Sequence, residues 1–524
     1  MRELLSVALP AVITMTSYTV MQFVDNLIVK ELGPGAISAV GNGGVFAFIP
    51  GAALMGLLSV VNTFVAQNLG AGTVKNGAAY VWNGLYLNII LWLAIFVPAG
   101  LFIEDVFQAT YALFGQDAPT GENLQRQVTY GSICMLGMIF NLSARTVGHF
   151  FYGVHRPAVV MVSAICGNIV NLTLCSIWVL GGIGLPGSEF LTASGERLWW
   201  DMGFASMDVK GAALSTVVGG LVEFIIPFAL FLAPWINRQY ATRAGWRPSW
   251  RHAKGILRLG WPASLMQGNE LLGWYIFMAI LVGAFNVVGQ PPVHTEAGWI
   301  VLRYMHLSFM PAVGLSIALT SIVGKYVGAG DEHTAVRRIW LGLGLTTLYM
   351  SVCAACFVLF RDPLVRIFID ADQAPAVADE VARIGSVMLI VAAAFQFFDA
   401  VAISLAGALR GAGDTVWPGI VTIVLTWVVL VGGGYAMVVY VPQWESLGPW
   451  LGAAGYIVFL AIAFFWRFLT GGWKGKAVAG PRAKGAPEPE PPMDLELGVI
   501  PITGDLGAPD PPTRDPSDDT ADRA

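Results

Sequence analysis

The chain is 524 residues long, 56% hydrophobic and only 12% charged, with 61 glycines and a mean hydropathy of +0.66. Soluble globular domains carry about twice that share of charge, so water is excluded as the main solvent, and fibrous and disordered classes are excluded with it. The formal net charge of -5 is small for the length and no basic stripe with interleaved aromatics occurs, so nucleic acid is not an expected partner and membrane lipid is.

A spanning helix needs roughly 20 mostly apolar residues. Apolar runs bounded by turn and charge signals predict helices near 4–30, 43–69, 79–103, 128–152, 157–182 and 209–234, then near 256–288, 297–327, 336–361, 380–410, 416–441 and 447–470. The expected fold class is an all-α integral membrane protein of twelve transmembrane helices. Arg2 and Glu3 precede an apolar run too long for a signal core and lacking a small-residue cleavage site, so the first helix is expected to be retained. With the N-terminus inside, one set of loops holds Lys75, Arg156, Arg238, Arg243, Arg247, Arg251, Lys254 and Arg258, while the other set is poorer in cations. That asymmetry predicts a multi-pass protein of the inner cell membrane with both termini cytoplasmic. From about Lys474 the composition shifts to Pro, Gly, Ala and acids, which predicts a disordered tail over 474–524.

Cys134, Cys166, Cys175, Cys353 and Cys356 all fall in apolar stretches and read as small packing residues. Cys353 and Cys356 have Cys-x-x-Cys spacing but no nearby His or acid that would complete a metal site.

The sharpest organisational signal is an internal repeat. Leu69-Gly70-Ala71-Gly72 returns as Val327-Gly328-Ala329-Gly330, and Gly153 returns as Gly411, both at an offset of 258 residues. Pro10 and Pro262 mark the two beginnings at an offset of 252. Six helices per copy is an even number, so the two six-helix repeats enter the membrane in the same direction, as parallel repeats around a central cavity. The expected divisions are an N-terminal repeat over 1–234, a cytoplasmic linker over 235–255 and a C-terminal repeat over 256–473.

Ionisable groups deep in a span are costly and are functional candidates by default. Four carboxylates qualify: Asp25, Glu223, Glu270 and Asp399. Trp274, Tyr275, Phe395, Phe397 and Phe398 cluster around the last two, and aromatic faces can hold a flat organic cation with about 0.5–2 kcal/mol each when desolvated. Arg145 reads as a cation that snorkels to the cytoplasmic surface, and Arg303 and His306 either as groups that gate or tune a site or as salt-bridging or interfacial groups.

Several of these motifs together resemble the multidrug and toxic compound extrusion (MATE) family, NorM-like branch. They are Leu9-Pro10-Ala11-Val12 followed by Phe23-Val24-Asp25, Ala66-Gln67 before the first Gly-Ala-Gly, Val323-Gly324 before the second, and Leu409-Arg410-Gly411-Ala412-Gly413-Asp414-Thr415 before Pro418. The resemblance covers everything except the tail. It implies a secondary-active antiporter that exports organic cations or drugs in exchange for Na+ or H+ by alternating access, with no enzymatic activity, no cofactor beyond that coupling ion, and a pathway that a monomer can form. It also implies site residues: Glu270 and Asp399 match the two acids of the family's C-terminal cation site and would hold Na+ or a proton. Asp25 matches the first-helix acid, with Asn171 as its partner from helix five. Cys175 stands where a further polar partner is expected, and Phe395 where a tyrosine is common. Glu223 matches no assigned position and reads as structural, and a helix-packing network of Asp25 with Asn171 and Thr216 is the alternative for the N-terminal acid.

Two buried carboxylates cannot both stay charged at low cost, so the pair would bind a proton, Na+ or an organic cation, each expelling the other. ATP is excluded as an energy source within this chain, because no Gly-x-x-x-x-Gly-Lys-Ser/Thr loop is present. A flippase of lipid-linked oligosaccharide would want a basic cavity where this chain has acids. A membrane-embedded enzyme would want a convergent constellation that its six scattered histidines do not supply.

Overall fold

The computed structural model describes residues 1–33, 35–113, 121–184, 199–287, 290–369 and 373–480. Twelve long helices run through them: α1 (Arg2–Lys30), α2 (Ala36–Gly70), α3 (Val74–Leu101), α4 (Glu122–Gly153), α5 (Pro157–Leu180), α6 (Asp208–Phe231), α7 (Trp250–Phe285), α8 (Val293–Gly328), α9 (Glu332–Leu359), α10 (Pro375–Ala412), α11 (Val416–Tyr440) and α12 (Leu447–Leu469). Eleven are long and apolar enough to cross a membrane. The remaining one, α4, has the length, but Gln125, Gln127, Asn141, Arg145 and His149 make it more polar. Between α5 and α6, Gly182–Gly184 pairs antiparallel with Trp199–Asp201, with Ile183 opposite Trp200. This ribbon is the departure, among the described residues, from the all-α expectation.

Several helices start earlier than hydropathy predicts: α2 at Ala36 rather than 43, α4 at Glu122 rather than 128, α7 at Trp250 rather than 256. Hydropathy registers only the stretch that suits lipid, whereas the i→i−4 ladder continues into the interface, where polar side chains are tolerated. For the same reason the expected linker over 235–255 contains most of a short helix, Pro234–Tyr240, and the first turns of α7. The predicted tail is described only as far as Gly480, and the rest lies outside the described residues.

The helices divide into α1–α6 and α7–α12, each half arranged alike. Within a half the second and fourth helices pack together, α2 on α4 and α8 on α10. Across the seam α1 packs on α8 and α7 packs on α2, which is the exchange a two-fold axis along the membrane normal produces.

The repeated glycines explain why the seam closes. A Cβ on Gly56 would lie 2.4 Å from the Ala263 carbonyl, and one on its counterpart Gly314 would lie 2.8 Å from the backbone of Val12. At the ends of α2 and α8 the approach is closer still: a Cβ on Gly70 would be 1.8 Å from the Lys325 carbonyl, and one on Gly328 would be 2.1 Å from that of Gln67. Gln67 and Lys325 are themselves repeat partners, so the two motifs cross each other on the pseudo-axis. The last glycine of each motif, Gly72 and Gly330, has φ of 73° and 78°, the left-handed region that suits glycine. Asp331 then caps α9, its Oδ1 accepting from the Thr334 N–H at 2.9 Å.

The crossings at Gly70 and Gly328 lie at the face where α1 begins and where Lys75, Arg156, Arg243 and Arg251 sit, hereafter the basic face. Leu4, Val7 and Ala8 of α1 pack there against Leu315, Ala318, Leu319 and Ile322 of α8. Beside them Glu3, 7% exposed, meets Lys325 Nζ at 3.2 Å, Arg338 at 2.8 Å and the Tyr326 hydroxyl at 2.8 Å, tying one half to the other. Removing one partner of a buried pair strands the other charge. Glu3→Ala is therefore expected to cost about 3–5 kcal/mol of stability, visible as a lower thermal unfolding midpoint in detergent, and an unchanged midpoint would contradict it.

Candidate functional site

Glu270 lies on α7 just before a π-helical stretch, Phe277–Val282, and Asp399 lies on α10. Both carboxyls are half-buried and within electrostatic reach of each other. Tyr456 of α12, 1% exposed, is within reach of both, and its hydroxyl also lies beside Thr426 of α11. A second π-helical stretch, Thr426–Gly433, completes the wall on α11. Such stretches interrupt the i→i−4 ladder and recur at functional sites. Gly273 lets α11 close in, since a Cβ there would be 2.5 Å from Thr426 Cγ2. The Trp427 indole donates to Asn269 Oδ1 at 2.8 Å, fixing the residue beside Glu270.

Phe395 sits one turn before Asp399 on α10, is 1% exposed and packs in the core of the C-terminal half. Gln396 donates to Ser308 Oγ at 2.9 Å, which pins α10 to α8 at the same level. Among the described residues neither acid has a Lys, Arg or His within electrostatic reach. The diacid therefore has no built-in counter-cation.

In the N-terminal half Asp25 meets the Asn171 amide and the Cys175 thiol of α5, with Tyr130 and Cys134 of α4 close by. Asn171, 2% exposed, also donates to Thr216 Oγ1 at 3.3 Å. One oxygen of Asp25 stays buried with no hydrogen-bond partner among the described residues. Asp25, Asn171 and Cys175 thus lie together, and Asn171 connects the group to Thr216 of α6.

A second N-terminal cluster was not legible as a unit. Tyr18 of α1 donates its hydroxyl to Glu223 of α6, and the Arg145 guanidinium lies over the Tyr18 ring, 4.2 Å from its centre and within electrostatic reach of Glu223. Arg145 therefore turns into the bundle rather than snorkelling to the surface, because a ring face and a carboxylate are available inside. Arg303 similarly covers Phe368 at 5.3 Å instead of making an ion pair among the described residues. Counting from the repeat prolines, Tyr18 occupies in α1 the place that Glu270 occupies in α7. At the offset of the glycines, Asn141 of α4 corresponds to Asp399 of α10. The two halves are alike in backbone and unlike in charge: one carries a diacid, the other a tyrosine and an amide at the same places, with Glu223 balanced by Arg145.

That balance is measurable. Arg145→Gln and Glu223→Gln should each destabilise the protein, and the double variant should lose less than the sum, with a coupling of about 0.5–3 kcal/mol in a double-mutant cycle. Strict additivity would show that the two charges do not compensate each other.

A family model described as MatE matches residues 10–177 and again residues 269–435, one copy in each half. The chain belongs to the MatE family. The probable multidrug resistance protein NorM of Thermotoga maritima is 26% identical over 484 residues, covering 91% of this chain and 94% of the relative. Its namesake in Pseudomonas aeruginosa is 27% identical over 473 residues, 89% of each chain. Among solved structures, an outward-facing multidrug resistance MATE transporter of the MOP superfamily superimposes with a TM-score of 0.75 at 20% identity, covering 90% of this chain and 96% of that one. In this MatE chain no group of three or more His, Cys, Asp or Glu able to hold a metal occurs among the described residues. All five cysteines are free thiols.

Proposed function

We propose that this MatE protein is a secondary-active antiporter that exports organic cations in exchange for Na+ or H+, and that Glu270 and Asp399 form the exchange site. The observation that carries this reading is the uncompensated diacid: two carboxyls in mutual reach, half-buried, with no cation beside them among the described residues. Such a pair is stable only when a positive charge arrives from outside, whether a proton, Na+ or the ammonium or iminium of a substrate. The candidates occupy one place and so displace one another, which is the coupling an antiporter needs. Na+ would take its remaining ligands from hydroxyls, backbone carbonyls or water, since it favours oxygen and the acids supply two carboxyls.

Alternating access follows from the repeat. The halves, closed against each other at the basic face in this structure, would rock about the pseudo-axis and open that face to take up substrate, then reclose and release it on the other side. With the basic face cytoplasmic, as the positive-inside bias suggests, the direction is outward. Each net charge crossing the membrane contributes about 2.3 kcal/mol per 100 mV. A pathway lined by both halves of one chain suits a monomer. Asp25, Asn171 and Phe395 are assigned supporting roles: Asp25 and Asn171 as a polar pocket in the N-terminal half, Phe395 as packing that sets the rotamer space of Asp399. A lipid-linked pyrophosphate would be repelled by the diacid, so the flippase reading is not favoured.

Ethidium transport in everted vesicles, with Na+ and pH gradients imposed separately, tests the proposal. One gradient should drive accumulation and thereby identify the coupling ion. A panel of cations that moves under neither gradient would sink it.

A further inference from the structure

Immediately after α12 the chain does not leave the protein. Trp473, 2% exposed, stacks near Phe468 with its ring 6.4 Å away and belongs to the core of the C-terminal half. Three residues on, the Lys476 ammonium meets Asp414 Oδ1 at 2.8 Å, while Arg467 holds the other oxygen of that buried carboxylate at 2.9 Å. Gly413, at φ 91°, makes room: a Cβ there would lie 2.4 Å from the Lys476 carbonyl. The chain then crosses the seam. The backbone N–H groups of Val478 and Ala479 donate to Gln67 Oε1 at 2.6 and 3.2 Å, and Val478 packs against the core of the N-terminal half.

Gln67 is the residue whose carbonyl faces Gly328 at the crossing of the two motifs. Its amide nitrogen donates to the Gly411 carbonyl at 2.8 Å. One side chain thus joins α2, the end of α10 and the segment beyond α12, at the place where the halves must part. Its neighbour Thr63 adds a bond from its hydroxyl to the Arg410 carbonyl at 3.0 Å.

We propose that residues 473–479 are a latch that holds the basic face closed, and that opening this face requires Val478 and Ala479 to leave Gln67. The inference rests on the alternating-access reading, since a latch matters only if the face opens. The Lys476–Asp414 pair anchors the segment to the C-terminal half, and across the seam it is held by the Gln67 side chain and the packing of Val478, a seal weak enough to break in each cycle. Its strength therefore sets how often the closed state is left, and anything that competes for Lys476 or for Gln67 shifts that population.

The test is hydrogen–deuterium exchange of α2 residues 62–70 and α8 residues 320–328 in lipid nanodiscs, without substrate or gradient. Three chains are compared: the full protein, one ending at Gly480 and one ending at Lys474. The chain ending at Gly480 should exchange like the full protein. The chain ending at Lys474 should exchange about tenfold faster in both segments, the effect expected for losing two hydrogen bonds and a partly exposed ion pair. Val478→Pro, which deletes one N–H donor in a segment without helix or strand, should raise exchange in the same direction by a smaller factor, and it remains informative should the short chain fail to fold. Equal exchange in the full protein, the short chain and the Val478→Pro variant overturns the latch. So does an equal rise in the chain ending at Gly480, which would place the restraint further on. Because the readout needs no transport, failure of the latch and failure of the antiporter reading are distinguishable.

Discussion

Glu270→Gln and Asp399→Asn are each expected to abolish gradient-driven ethidium transport while leaving the protein folded. Both substitutions keep shape and hydrogen-bonding capacity and remove the charge, so what is lost is the attraction for a cation in a site that supplies no other counter-ion. Removing one member of a buried charged contact costs roughly 2–5 kcal/mol, which is a factor of about 30 to several thousand in affinity. Thermal unfolding separates this from a folding defect, and the sign is diagnostic. An acid without a partner is a burden on the resting protein, so the unfolding midpoint of either variant should stay constant or rise. Transport lost together with a falling midpoint would instead assign these carboxyls to structure. Tyr456→Phe should have a milder effect, because it removes a hydroxyl beside the acids and no charge.

The second large effect is expected at the crossing of the repeat motifs. In Gly328→Ala the new Cβ would start 2.1 Å from the Gln67 carbonyl, and in Gly70→Ala it would start 1.8 Å from that of Lys325. The obstacle in both cases is backbone, which cannot swing aside like a side chain. The helix ends must separate, at a cost of roughly 1–3 kcal/mol, and the closed state of the basic face is destabilised relative to the open one. Transport should collapse, and thiol labelling of a cysteine placed at position 66 should become rapid from that face. Gly330→Ala is the control. Its Cβ would meet nothing within 4 Å and it carries only the strain of φ 78°, so transport should fall far less. Equal losses in Gly328→Ala and Gly330→Ala would mean that loop conformation, and not close approach, is what the motif protects.

Much of this was legible in the sequence because the two signals involved are local and repeated. Gly70 and Gly328, or Gly153 and Gly411, declare a two-fold relation by offset alone, and an acid such as Glu270 inside an apolar run announces itself by its cost. What was not legible depends on distant pairing. Nothing near Tyr18 points to Glu223, 205 residues away, and the position of Arg145 eight residues before Gly153 suggests snorkelling because the sequence does not show the Tyr18 ring that lies beneath it. Tyr456 carries no sequence signal of its own, because only the packing of α12 on α10 brings it to the diacid. The offset did contain one signal that could have been used: Tyr18 and Asn141 fall at the repeat positions of Glu270 and Asp399, so the charge asymmetry between the halves was already written in the numbering. Helix starts ran early because the interfacial turns of α2, α4 and α7 are polar, and hydropathy does not register a helix outside lipid. Composition groups the stretch after Trp473 with the tail, yet Val478 and Ala479 are held by backbone donors that composition does not reveal.

The claim on which everything else depends is that cation and coupling ion compete for Glu270 and Asp399. Calorimetric titration of purified protein with tetraphenylphosphonium, in buffers of different protonation enthalpy and at several Na+ concentrations, measures that competition directly. Binding should release protons or weaken with rising Na+, and both dependences should vanish in the Glu270→Gln/Asp399→Asn double variant. Binding to the wild type that is indifferent to both ions, or an ion dependence that survives in the double variant, would contradict exchange at this diacid.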